Sequence, residues 1–398
     1  MSTTSGTVEI AGGGIAGLTT GLAFARKGWR VCVHEQDDDL RILGDGIHIW
    51  ENGLRVLDVL GVLHAVTGDA LPAWRCERRN ASGSDPNGEV FGRSRLGPCF
   101  RLYVPLRERL LTALYDALIA AGGRVEFNSH AVAADPSGVL HFADGGQARA
   151  DLVVAADGIN SPIRGGLGLL RERRAVNQFG YRAMIRREPD ELRSEIGRTH
   201  CEHWDGSRRL LYAPCDESFA CVQLISVAGD DVANQVPIDR EFWHALFPHL
   251  GWIIERLPDD GRGDWFEVVR ARWSTGNVAL VGDAANGQPP FLGQGGGCAM
   301  MSGFVLAEAV DRAADVEFGI ADWRRRQRRF TEWVQRVAYW YGQLALLSPR
   351  LRLAAFRAID RNDWLKAATL LAAARHDPTA PERWRRLEET QLPIPIFH

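Results

Sequence analysis

The stretch from Val8 to Glu35, VEIAGGGIAGLTTGLAFARKGWRVCVHE, decides the fold of this chain. A short apolar run leads into three glycines, a segment with helical spacing of apolar residues follows, and a second apolar run begins after Arg30. This order predicts a β-α-β unit in which the first strand and the helix meet at a tight glycine turn.

Three glycines of this turn form a GxGxxG pattern: Gly12, Gly14 and Gly17. The first makes the turn, the second lets the backbone approach a pyrophosphate, and the third lets the helix pack on the strand. Free N–H groups and the helix dipole favour phosphates at that position. Glu35, at the end of the second strand, can accept from ribose hydroxyls. The pattern therefore predicts a bound dinucleotide, with a purely structural glycine turn as the alternative.

The composition is that of a large globular protein. The chain has 398 residues, a formal net charge of -3 and 45% hydrophobic residues, which excludes a disordered tail or a mini-protein. No apolar stretch reaches the roughly 18 residues of a membrane span, and the first residues carry no secretory pattern, so a cytoplasmic protein without membrane contact is expected. Seven cysteines without a CxxC pair predict reduced thiols and no metal site.

Two further strand-like runs end in glycine and aspartate. The run DLVVAA stops at Asp157 and Gly158. The run NVALV stops at Gly282 and Asp283. Turns of this kind lie at the carboxyl edge of a parallel sheet, where ligands bind. We therefore expect all three glycine turns to border one site.

The remaining sequence predicts an α/β fold with a Rossmann-like parallel sheet, an inserted and mostly antiparallel β lobe, and C-terminal helices. The lobe is indicated by short strand patterns broken by proline and glycine. The predicted segments are a nucleotide-binding domain over residues 1–72, 100–176 and 273–320, a substrate-binding β lobe over 73–99 and 177–272, and a helical segment over 321–398.

The helical segment is basic, and its start reads WRRRQRRF from Trp323. A nucleic-acid surface is one interpretation of such a charge run. A solvated helix face docked against the more acidic remainder is the favoured one, because Trp333 and Tyr339 give the same helix an apolar side. No nucleic-acid partner is therefore expected. The tryptophans and arginines are equally compatible with a homodimer interface and with packing on the same chain.

Two motifs carry a resemblance to a known family. Residues 156–164 (ADGINSPIR) and 282–285 (GDAA), the latter followed by Pro290, Gly293 and Gly295, resemble the DG and GD motifs of class A flavoprotein aromatic hydroxylases. Together with GxGxxG they stand in the family's order and spacing. The resemblance implies FAD as the cofactor and NADH or NADPH as a transient reductant.

The resemblance also implies positions for individual residues. Asp283 would hold the flavin ribitol, Asp157 would also support use of the nicotinamide cofactor, and Arg107 matches an arginine near FAD. The full set expected to bind the cofactor is Gly12, Gly14, Ile15, Ala16, Gly17, Glu35, Gln36, Arg41, Gly46, Ile47, Arg107, Asp157, Gly158, Gly282, Asp283, Gly293, Gly295 and Gly296.

The third motif has a physical rationale of its own. Gln294 and three following glycines open a predicted long helix, so several N–H groups point at whatever lies before it. A helix N-terminus stabilises negative charge such as that of a reduced flavin. A simple glycine hinge is the alternative.

The substrate residues follow from similarity to pyridine hydroxylases of this family. Arg209 matches an arginine that faces the substrate there, while His48, Trp74 and Cys221 stand where pocket tyrosines are expected. With Pro290 they complete the predicted catalytic set. Arg209 would anchor a carboxylate or phenolate, His48 would deprotonate a ring hydroxyl and Trp74 would stack on the ring. Surface, packing and core roles are the respective alternatives.

Two further features of the sequence concern histidines. Asn286 replaces the histidine that usually follows GDAA. His200 and His203 suggest a metal at first sight, but residues i and i+3 of a strand face opposite sides, so no metal is expected.

The function that the resemblance implies is single-component, NAD(P)H-consuming hydroxylation, with or without ring opening, of a small phenolic or hydroxypyridine-type aromatic through a flavin C4a-hydroperoxide. The other partner is O₂. Two alternatives remain open: an FAD-dependent dehydrogenase or reductase without oxygen insertion, and a non-catalytic nucleotide-binding protein. A halogenase would need a tunnel lysine, and neither Lys27 nor Lys366 is placed for it.

Overall fold

A computed structural model describes residues 6–40, 46–73, 75–81, 89–95, 101–370 and 372–379. Two predicted site residues, Arg41 and Trp74, lie outside these ranges. The strands are β1 (Thr7–Ala11), β2 (Arg30–His34), β3 (Ile49–Trp50), β4 (Arg75–Asn80), β5 (Glu89–Arg95), β6 (Leu102–Tyr103), β7 (Arg124–Glu126), β8 (Ala131–Asp135), β9 (Val139–Phe142), β10 (Gln147–Arg149), β11 (Leu152–Ala155), β12 (Leu170–Arg186), β13 (His200–Asp205), β14 (Arg208–Pro214), β15 (Phe219–Val227), β16 (Arg262–Ala271), β17 (Ser274–Thr275) and β18 (Val278–Leu280).

The helices lie between and after these strands. They are α1 (Ile15–Ala25), α2 (Glu51–Val59), α3 (Leu63–Thr67), α4 (Arg107–Ala120), α5 (Pro162–Gly166), α6 (Pro189–Arg193), α7 (Arg240–Leu246), α8 (Gly251–Ile254), α9 (Asp283–Asn286), α10 (Gly295–Arg312), α11 (Val316–Gln343), α12 (Pro349–Arg361), α13 (Asp363–Ala368) and α14 (Ala372–Arg375). None of the helices in the described ranges is both long and apolar enough to cross a lipid bilayer.

A six-stranded sheet in the order β17-β18-β11-β1-β2-β7 carries the glycine turns. Strand β1 pairs in parallel with β2 and β11, and β11 pairs in parallel with β18, so the predicted β-α-β unit is confirmed. Ala11 is in register with Ala155, and Ala155 with Leu280. The three strand ends therefore lie side by side, as the sequence predicts.

The first turn shows why glycine is required. Gly12 has a φ of +102°, and a Cβ there would lie 2.5 Å from the carbonyl oxygen of Ala156. A Cβ on Gly17 would lie 1.9 Å from the carbonyl oxygen of Gly12. Helix α1 can therefore approach the end of β1 only if both positions lack a side chain.

Both faces of the parallel sheet are covered, which explains its continuous apolar runs. Val8, Ile10 and residues 152–155 are fully buried. Helices α1 and α10 pack against each other beside the sheet, and α1 also contacts α4. This packed core holds the glycine turns in place at the carboxyl edge of the sheet.

The second large sheet has seven strands in the order β16-β12-β15-β14-β13-β4-β5. All its neighbours pair antiparallel except β13 and β4, which are parallel. It confirms the mostly antiparallel lobe. Its outer core contains Tyr212, Trp243 and Phe247, buried with helices α7 and α8.

Helix α11 connects the C-terminal helices to strand β16 of the second sheet, to the turn after α9 and to helix α10. The Gln335 amide nitrogen donates to the carbonyl oxygens of Val269 (2.8 Å) and Gly287 (2.7 Å), and the Trp323 indole donates to that of Ser302 (3.0 Å). The predicted segment limits at 176/177 and 320/321 fall inside β12 and α11. Those limits stay predictions.

Candidate active site

A cleft of about 300 Å³ opens at the carboxyl edge of the parallel sheet; we call it the nucleotide cleft. It brings most of the predicted cofactor residues together. Its lining consists of Gly14, Ile15, Ala16, Gly46, Ile47, His48, Arg107, Ala156, Gly158, Arg182, Gln223, Gly282, Asp283, Gln288, Pro290, Gly293, Gly295, Gly296 and Ala299.

The first turn offers a cradle for phosphates. Helix α1 begins after Gly14 without a side-chain cap. A Cβ on Gly14 would meet no atom within 4 Å, because this residue faces the cleft. Uncapped N–H groups at a helix start, with free space before them, fit a pyrophosphate.

Glu35 is held at the side of this turn. Its carboxylate accepts hydrogen bonds from the backbone N–H of Gly13 (2.7 Å) and of Asp37 (3.2 Å). The side chain thus fixes the loop after β2 against the glycine turn. Gln36 beside it is exposed. The ribose contact of Glu35 and a cofactor contact of Gln36 stay predictions.

Asp157 at the end of β11 combines local hydrogen bonds with one free acceptor. Its Oδ2 accepts from the Ser161 hydroxyl (2.8 Å) and the Ile163 N–H (3.3 Å). Its Oδ1 is buried without a hydrogen-bond partner among the described residues. Burial raises the pKa of Asp157 above its ordinary range. An unsatisfied buried oxygen is the kind of group that a bound cofactor would satisfy.

Arg164 connects two of the motifs. It is buried and donates to the carbonyl oxygens of Ile159 (2.7 Å) and Ala284 (3.1 Å). The DG turn and the GD turn are therefore fixed to each other by one guanidinium, which keeps both at the edge of the cleft.

Asp283 opens helix α9 and is accessible from the cleft. The surrounding protein raises its pKa above the ordinary range, and the Arg107 guanidinium opposes part of that rise. Gly282 before it has a φ of +59°, and a Cβ there would lie 2.8 Å from the Ala16 Cβ. The close approach of the GD turn to α1 therefore needs glycine, and it presents the Asp283 carboxylate to the cleft.

The start of α10 closes the same cleft. The helix begins after Gln294 without a side-chain cap, and Gly295 and Gly296 line the cleft. Neither amide atom of Gln294 has a hydrogen-bond partner among the described residues, although the side chain is buried. Backbone N–H groups without a capping partner, together with a buried side-chain amide, suit the polar edge of a flavin. The residues present therefore fit FAD.

A second cavity of about 120 Å³ adjoins the nucleotide cleft. The two share His48, Gln223, Pro290 and Gly293. We call it the aromatic cavity because rings and apolar side chains supply much of its wall. Its lining is His48, Trp50, Cys76, Glu77, Arg78, His200, Glu202, Leu211, Gln223, Ile225, Pro290, Phe291, Leu292, Gly293, Tyr341, Lys366 and Leu370.

Two histidines meet where the cavities join. The Nε2 atoms of His48 and His200 are 2.6 Å apart, and the rings are nearly perpendicular at 85°. Burial lowers the pKa of His48 to about 4. Burial and the proximity of His48 lower the pKa of His200 well below its ordinary value. Both imidazoles are therefore neutral at physiological pH.

The basic side chains of the aromatic cavity have acidic partners. Arg78 donates to the Asp360 carboxylate (2.6 Å), and the Lys366 amine lies 3.8 Å from the same carboxylate. A cation already held by a carboxylate is less available to an anionic ligand.

The carboxylates of this cavity are partnered in the same way. Glu77 accepts from Arg79 (2.6 Å) and Arg93 (2.6 Å). Glu202 accepts from the Tyr341 hydroxyl (2.5 Å) and from Arg209 (3.3 Å). The described wall of the aromatic cavity is thus close to electrically balanced.

Arg209 lies behind this wall. It is fully buried and does not line either cavity. Its guanidinium donates to Gln178 Oε1 (2.6 Å) and Glu202 Oε1 (3.3 Å). It also stacks on the rings of Phe291 (4.4 Å) and Trp204 (4.8 Å). The structure places Arg209 where it holds lining residues, and its predicted contact with the substrate stays a prediction.

Two other positions lie outside the linings: Cys221, a predicted substrate residue, and Asn286, which stands where the family usually has a histidine. Cys221 is buried in a small cluster with Val104, Ala213 and Cys215. Asn286, at the end of α9, is buried, and its amide nitrogen lies 3.5 Å from the Thr331 carbonyl oxygen. Pro290 and His48 line both cavities, and their contacts with a substrate stay predictions.

Several lining residues were not predicted from the sequence. His200 stands out in the sequence only as a possible metal ligand, and the predicted residues do not include Gln223, Trp50, Phe291 or Tyr341. The opposite facing of His200 and His203 along β13 was the available signal, because it sends one histidine to each side of the sheet. Gln223 and Tyr341 carried no local signal.

One group of possible metal ligands exists among the described residues, away from both cavity linings. Ligand atoms of Glu9, Cys32 and His34 lie within 4.8 Å of one another. The His34 ring already bonds Glu9 (2.6 Å) and Ser129 (2.8 Å). These side chains hold β1 and β2 together on one face of the sheet.

Comparisons with known proteins agree with this geometry. A family described as an FAD binding domain matches residues 5–314. The chain is 37% identical to a putative 2-heptyl-3-hydroxy-4(1H)-quinolone synthase of Rhodococcus erythropolis, over 92% of this chain and 97% of the relative. It is 38% identical to a 2-heptyl-3-hydroxy-4(1H)-quinolone synthase of Mycobacteroides abscessus, over 84% of this chain and 89% of the relative.

A solved structure gives the same result. The tetrameric form of 2-methyl-3-hydroxypyridine-5-carboxylic acid oxygenase has a TM-score of 0.83 and 32% identity, covering 94% of this chain and 98% of that chain. The fold, the three motifs and the relatives all indicate the same cofactor chemistry: the cofactor is FAD and the reductant is NAD(P)H. This chain belongs to the class A flavin-dependent monooxygenases, which hydroxylate aromatic rings.

Proposed function

We propose that this enzyme hydroxylates the ring of a neutral N-heteroaromatic compound of the 4(1H)-quinolone class that carries an apolar side chain. The observation that carries the proposal is the aromatic cavity, whose histidines are neutral and whose charged groups are paired with one another. The names of the two quinolone relatives support the same compound class.

The chemistry follows from the product that those relatives are named for. A monooxygenase that forms a 3-hydroxy-4(1H)-quinolone takes the same ring without the 3-hydroxyl group. That carbon is the electron-rich end of a conjugated enamine, whose nitrogen is the ring N–H. FAD, when bound, accepts a hydride from NAD(P)H and activates O₂ for transfer of one oxygen atom to such a carbon.

The chain's own residues would hold the ring at the junction of the two cavities. Pro290 and Gly293 border both spaces, so a ring seated there faces the nucleotide cleft. Gln223 offers an amide donor and acceptor to the ring carbonyl and N–H. Trp50 and Phe291 supply flat apolar walls on which a bicyclic ring can stack.

The apolar side chains of the aromatic cavity suit an alkyl chain. Leu292 and Leu370 line it, and the Trp50 indole is fixed by donation to the Leu292 carbonyl oxygen (3.0 Å). Burying methylene groups there would add about 0.8 kcal/mol each. It would also exclude water from the reacting carbon.

A carboxylated pyridine or benzoate is disfavoured by the same wall. An anionic substrate needs a cation that is not already neutralised. Arg78 and Lys366 share the Asp360 carboxylate, and Arg209 is enclosed by Gln178 and Glu202. The balance therefore favours a neutral ring.

The test is product analysis with isotopically labelled O₂. The holoenzyme is given NADH or NADPH with 2-heptyl-4(1H)-quinolone, and separately with 2-methyl-3-hydroxypyridine-5-carboxylate and 6-hydroxynicotinate. We expect the quinolone to gain one labelled oxygen atom for each NAD(P)H consumed. Turnover of a carboxylated pyridine with no turnover of the quinolone would overturn the proposal. NAD(P)H consumption without O₂ consumption, accompanied by a reduced and unlabelled product, would favour the reductase.

Two further predictions remain proposals. The first is a homodimer, supported by large exposed side chains on the C-terminal helices, among them Trp340 and Leu351. Sedimentation of the holoenzyme tests it, with a monomer as the contrary result. The second is a cytoplasmic location, which cell fractionation tests.

A further inference from the structure

We propose that His48 and His200 act as one unit, a shared-proton pair in which His48 takes the ring proton of the substrate and passes charge to His200 during hydroxylation. This inference rests on the proposed function, and it adds His200 to the machinery as a residue that acts through His48.

The pair bridges the two halves of the site. His48 belongs to the segment before β3, and His200 is the first residue of β13 in the seven-stranded sheet. His48 lines both cavities, whereas His200 lines only the aromatic cavity. A ring at the junction would therefore contact His48, whereas His200 faces only the aromatic cavity.

The position of His48 is built into the fold. A Cβ on Gly293 would lie 2.7 Å from the His48 Cβ, and Gly293 has a φ of +60°. His48 can pack this closely on the turn before α10 only because residue 293 has no side chain. The same glycine thus borders the flavin site and seats the histidine.

Proton counting gives the pair its chemistry. When both rings are neutral, one Nε2–H donates across the 2.6 Å contact and the other Nε2 accepts. The donor ring then has a lone pair at Nδ1, because a neutral imidazole carries only one N–H. With His48 as the donor, its Nδ1 is free to accept a proton.

The step balances without another reactant. The substrate N–H bond breaks, its electron pair stays on the ring, and an Nδ1–H bond forms on His48. The Nε2–H bond of His48 breaks as an Nε2–H bond forms on His200. The ring carbon becomes more nucleophilic for oxygen transfer. Afterwards the two transfers run in reverse: the Nε2–H proton of His200 returns to His48 Nε2, and the Nδ1–H proton of His48 returns to the ring nitrogen as the hydroxylated carbon loses its own proton. The carbon proton leaves with the second oxygen atom of O₂ as water, so that the aromatic ring and the starting pair are both restored.

Neutral starting rings are a requirement of this step. A histidine that is already protonated cannot accept, and burial keeps both rings neutral at neutral pH. The same burial disfavours a lasting positive charge on either ring, so the proton stays on the pair only until it returns to the ring nitrogen of the substrate. Transfer through the pair also moves the positive charge one residue away from the ring, so that His48 itself ends neutral.

The test uses single turnovers of the reduced holoenzyme mixed with O₂ in the presence of 2-heptyl-4(1H)-quinolone. The variants are His48→Gln, His200→Gln and His200→Ala. A glutamine at 200 can accept a hydrogen bond from His48 and keep it oriented, but cannot take up the proton. We expect about a 100-fold lower hydroxylation rate for His48→Gln and about a 10-fold lower rate for both His200 variants.

A matched control exists in the same lobe. His203 and His249 form another histidine pair, 3.0 Å apart, and neither lines the two cavities. His249→Gln therefore removes a histidine contact of the same kind without touching the site, and we expect the wild-type rate. FAD absorbance and the melting temperature of each variant show whether it has folded.

The 1-methyl derivative of the quinolone separates proton transfer from packing, because it has no ring N–H. We expect the wild-type enzyme and the His200 variants to convert it at the same slow rate. An equal slowing of both substrates in the His200 variants, or a wild-type rate for His200→Gln on the N–H substrate, would overturn the pair.

Failure of the proposed function would give a different result. In that case the wild-type enzyme would not hydroxylate the quinolone at all. The same variants would then be compared on the ring compound that it does hydroxylate and on the N- or O-methyl derivative of that compound. Slowing of the unmethylated compound alone in the His200 variants would again support the pair, and equal slowing of both compounds would again overturn it.

Discussion

The nucleotide cleft and the aromatic cavity meet at His48, Pro290 and Gly293 but are built in different ways. The cleft is largely backbone: three glycine turns at adjacent strand ends and two uncapped helix starts. The aromatic cavity is largely side chain, drawn from strands of the β lobe and from helices near the C-terminus. Cofactor binding therefore depends on where side chains are absent, and substrate choice on which side chains are present.

The largest expected effect breaks the backbone side of this comparison. Gly17→Ala places a Cβ 1.9 Å from the Gly12 carbonyl oxygen, so α1 must move away from β1. We expect overpacking of about 3 kcal/mol or more, with loss of bound FAD. Chemical denaturation and the flavin absorbance of the purified protein measure both.

A matched glycine serves as the control. A Cβ on Gly14 meets no atom within 4 Å, because the position faces the cleft. Gly14→Ala should therefore leave the free energy of unfolding of the FAD-free protein nearly unchanged and weaken only FAD affinity. Equal destabilisation by both substitutions would contradict the assignment of Gly17 to helix packing and of Gly14 to phosphate binding.

The next largest effect is expected at the wall of the aromatic cavity. Arg209→Ala leaves the Glu202 carboxylate without its guanidinium partner and removes the support of Phe291. We expect a loss of about 3 to 5 kcal/mol in unfolding free energy, together with lower kcat. Thermal and denaturant unfolding, followed by steady-state kinetics, give the values.

The contrary outcome is specific. A stable Arg209→Ala protein in which only the KM for an anionic substrate rises would show that Arg209 binds the substrate directly. Arg173→Ala, which breaks the exposed pair between Arg173 and Glu267, is the control and should change stability by less than about 1 kcal/mol.

A smaller effect is expected at the GD turn. Asp283 presents its carboxylate to the cleft. Within the described residues, this carboxylate forms no hydrogen bond that stabilises the fold. Asp283→Ala should lower FAD affinity by about 10-fold or more, since a bond to a charged group contributes about 1.5 to 3 kcal/mol. Equilibrium titration with FAD measures it, and full occupancy with normal turnover would contradict the assignment.

The smallest effect is a pH dependence of stability. Burial lowers the pKa of His203 and His376 to about 3, while the unfolded chain keeps the ordinary value. A depressed folded pKa means that stability is full above about pH 6.5 and declines as pH falls toward the folded values. The melting temperature should therefore fall steadily on acidification from neutral pH.

Removing one of these groups sharpens the test. His203→Gln should show a shallower decline of melting temperature on acidification than the wild-type protein, whatever its stability at neutral pH. An identical slope would show that His203 is not protonated on unfolding. The low pKa of His48 likewise predicts hydroxylation that does not titrate through His48 near neutrality.

The sequence was most informative where function depends on short spacing. The β-α-β unit, the meeting of the three strand ends and most of the cofactor residues follow from glycines and acids within single motifs. Gly293 illustrates the limit, because its need for a missing side chain comes from His48, which is far away in the chain. That contact exists only once the fold is formed.

The aromatic cavity depends on such distant contacts throughout. Its wall joins His200 of β13, Gln223 of β15 and Tyr341 of α11, which no local pattern brings together. Arg209 shows the same limit in another way. Its residue type suggested an anion anchor, but the Glu202 and Gln178 side chains that occupy it come from other strands.

Above all, we propose that the aromatic cavity selects a neutral quinolone-type ring for FAD-dependent hydroxylation. The most direct measurement is the anaerobic stopped-flow rate of flavin reduction by NADH and by NADPH, with 2-heptyl-4(1H)-quinolone or with 2-methyl-3-hydroxypyridine-5-carboxylate. We predict that the quinolone accelerates reduction and that the carboxylated pyridine does not. Acceleration by the carboxylated pyridine alone would contradict the claim.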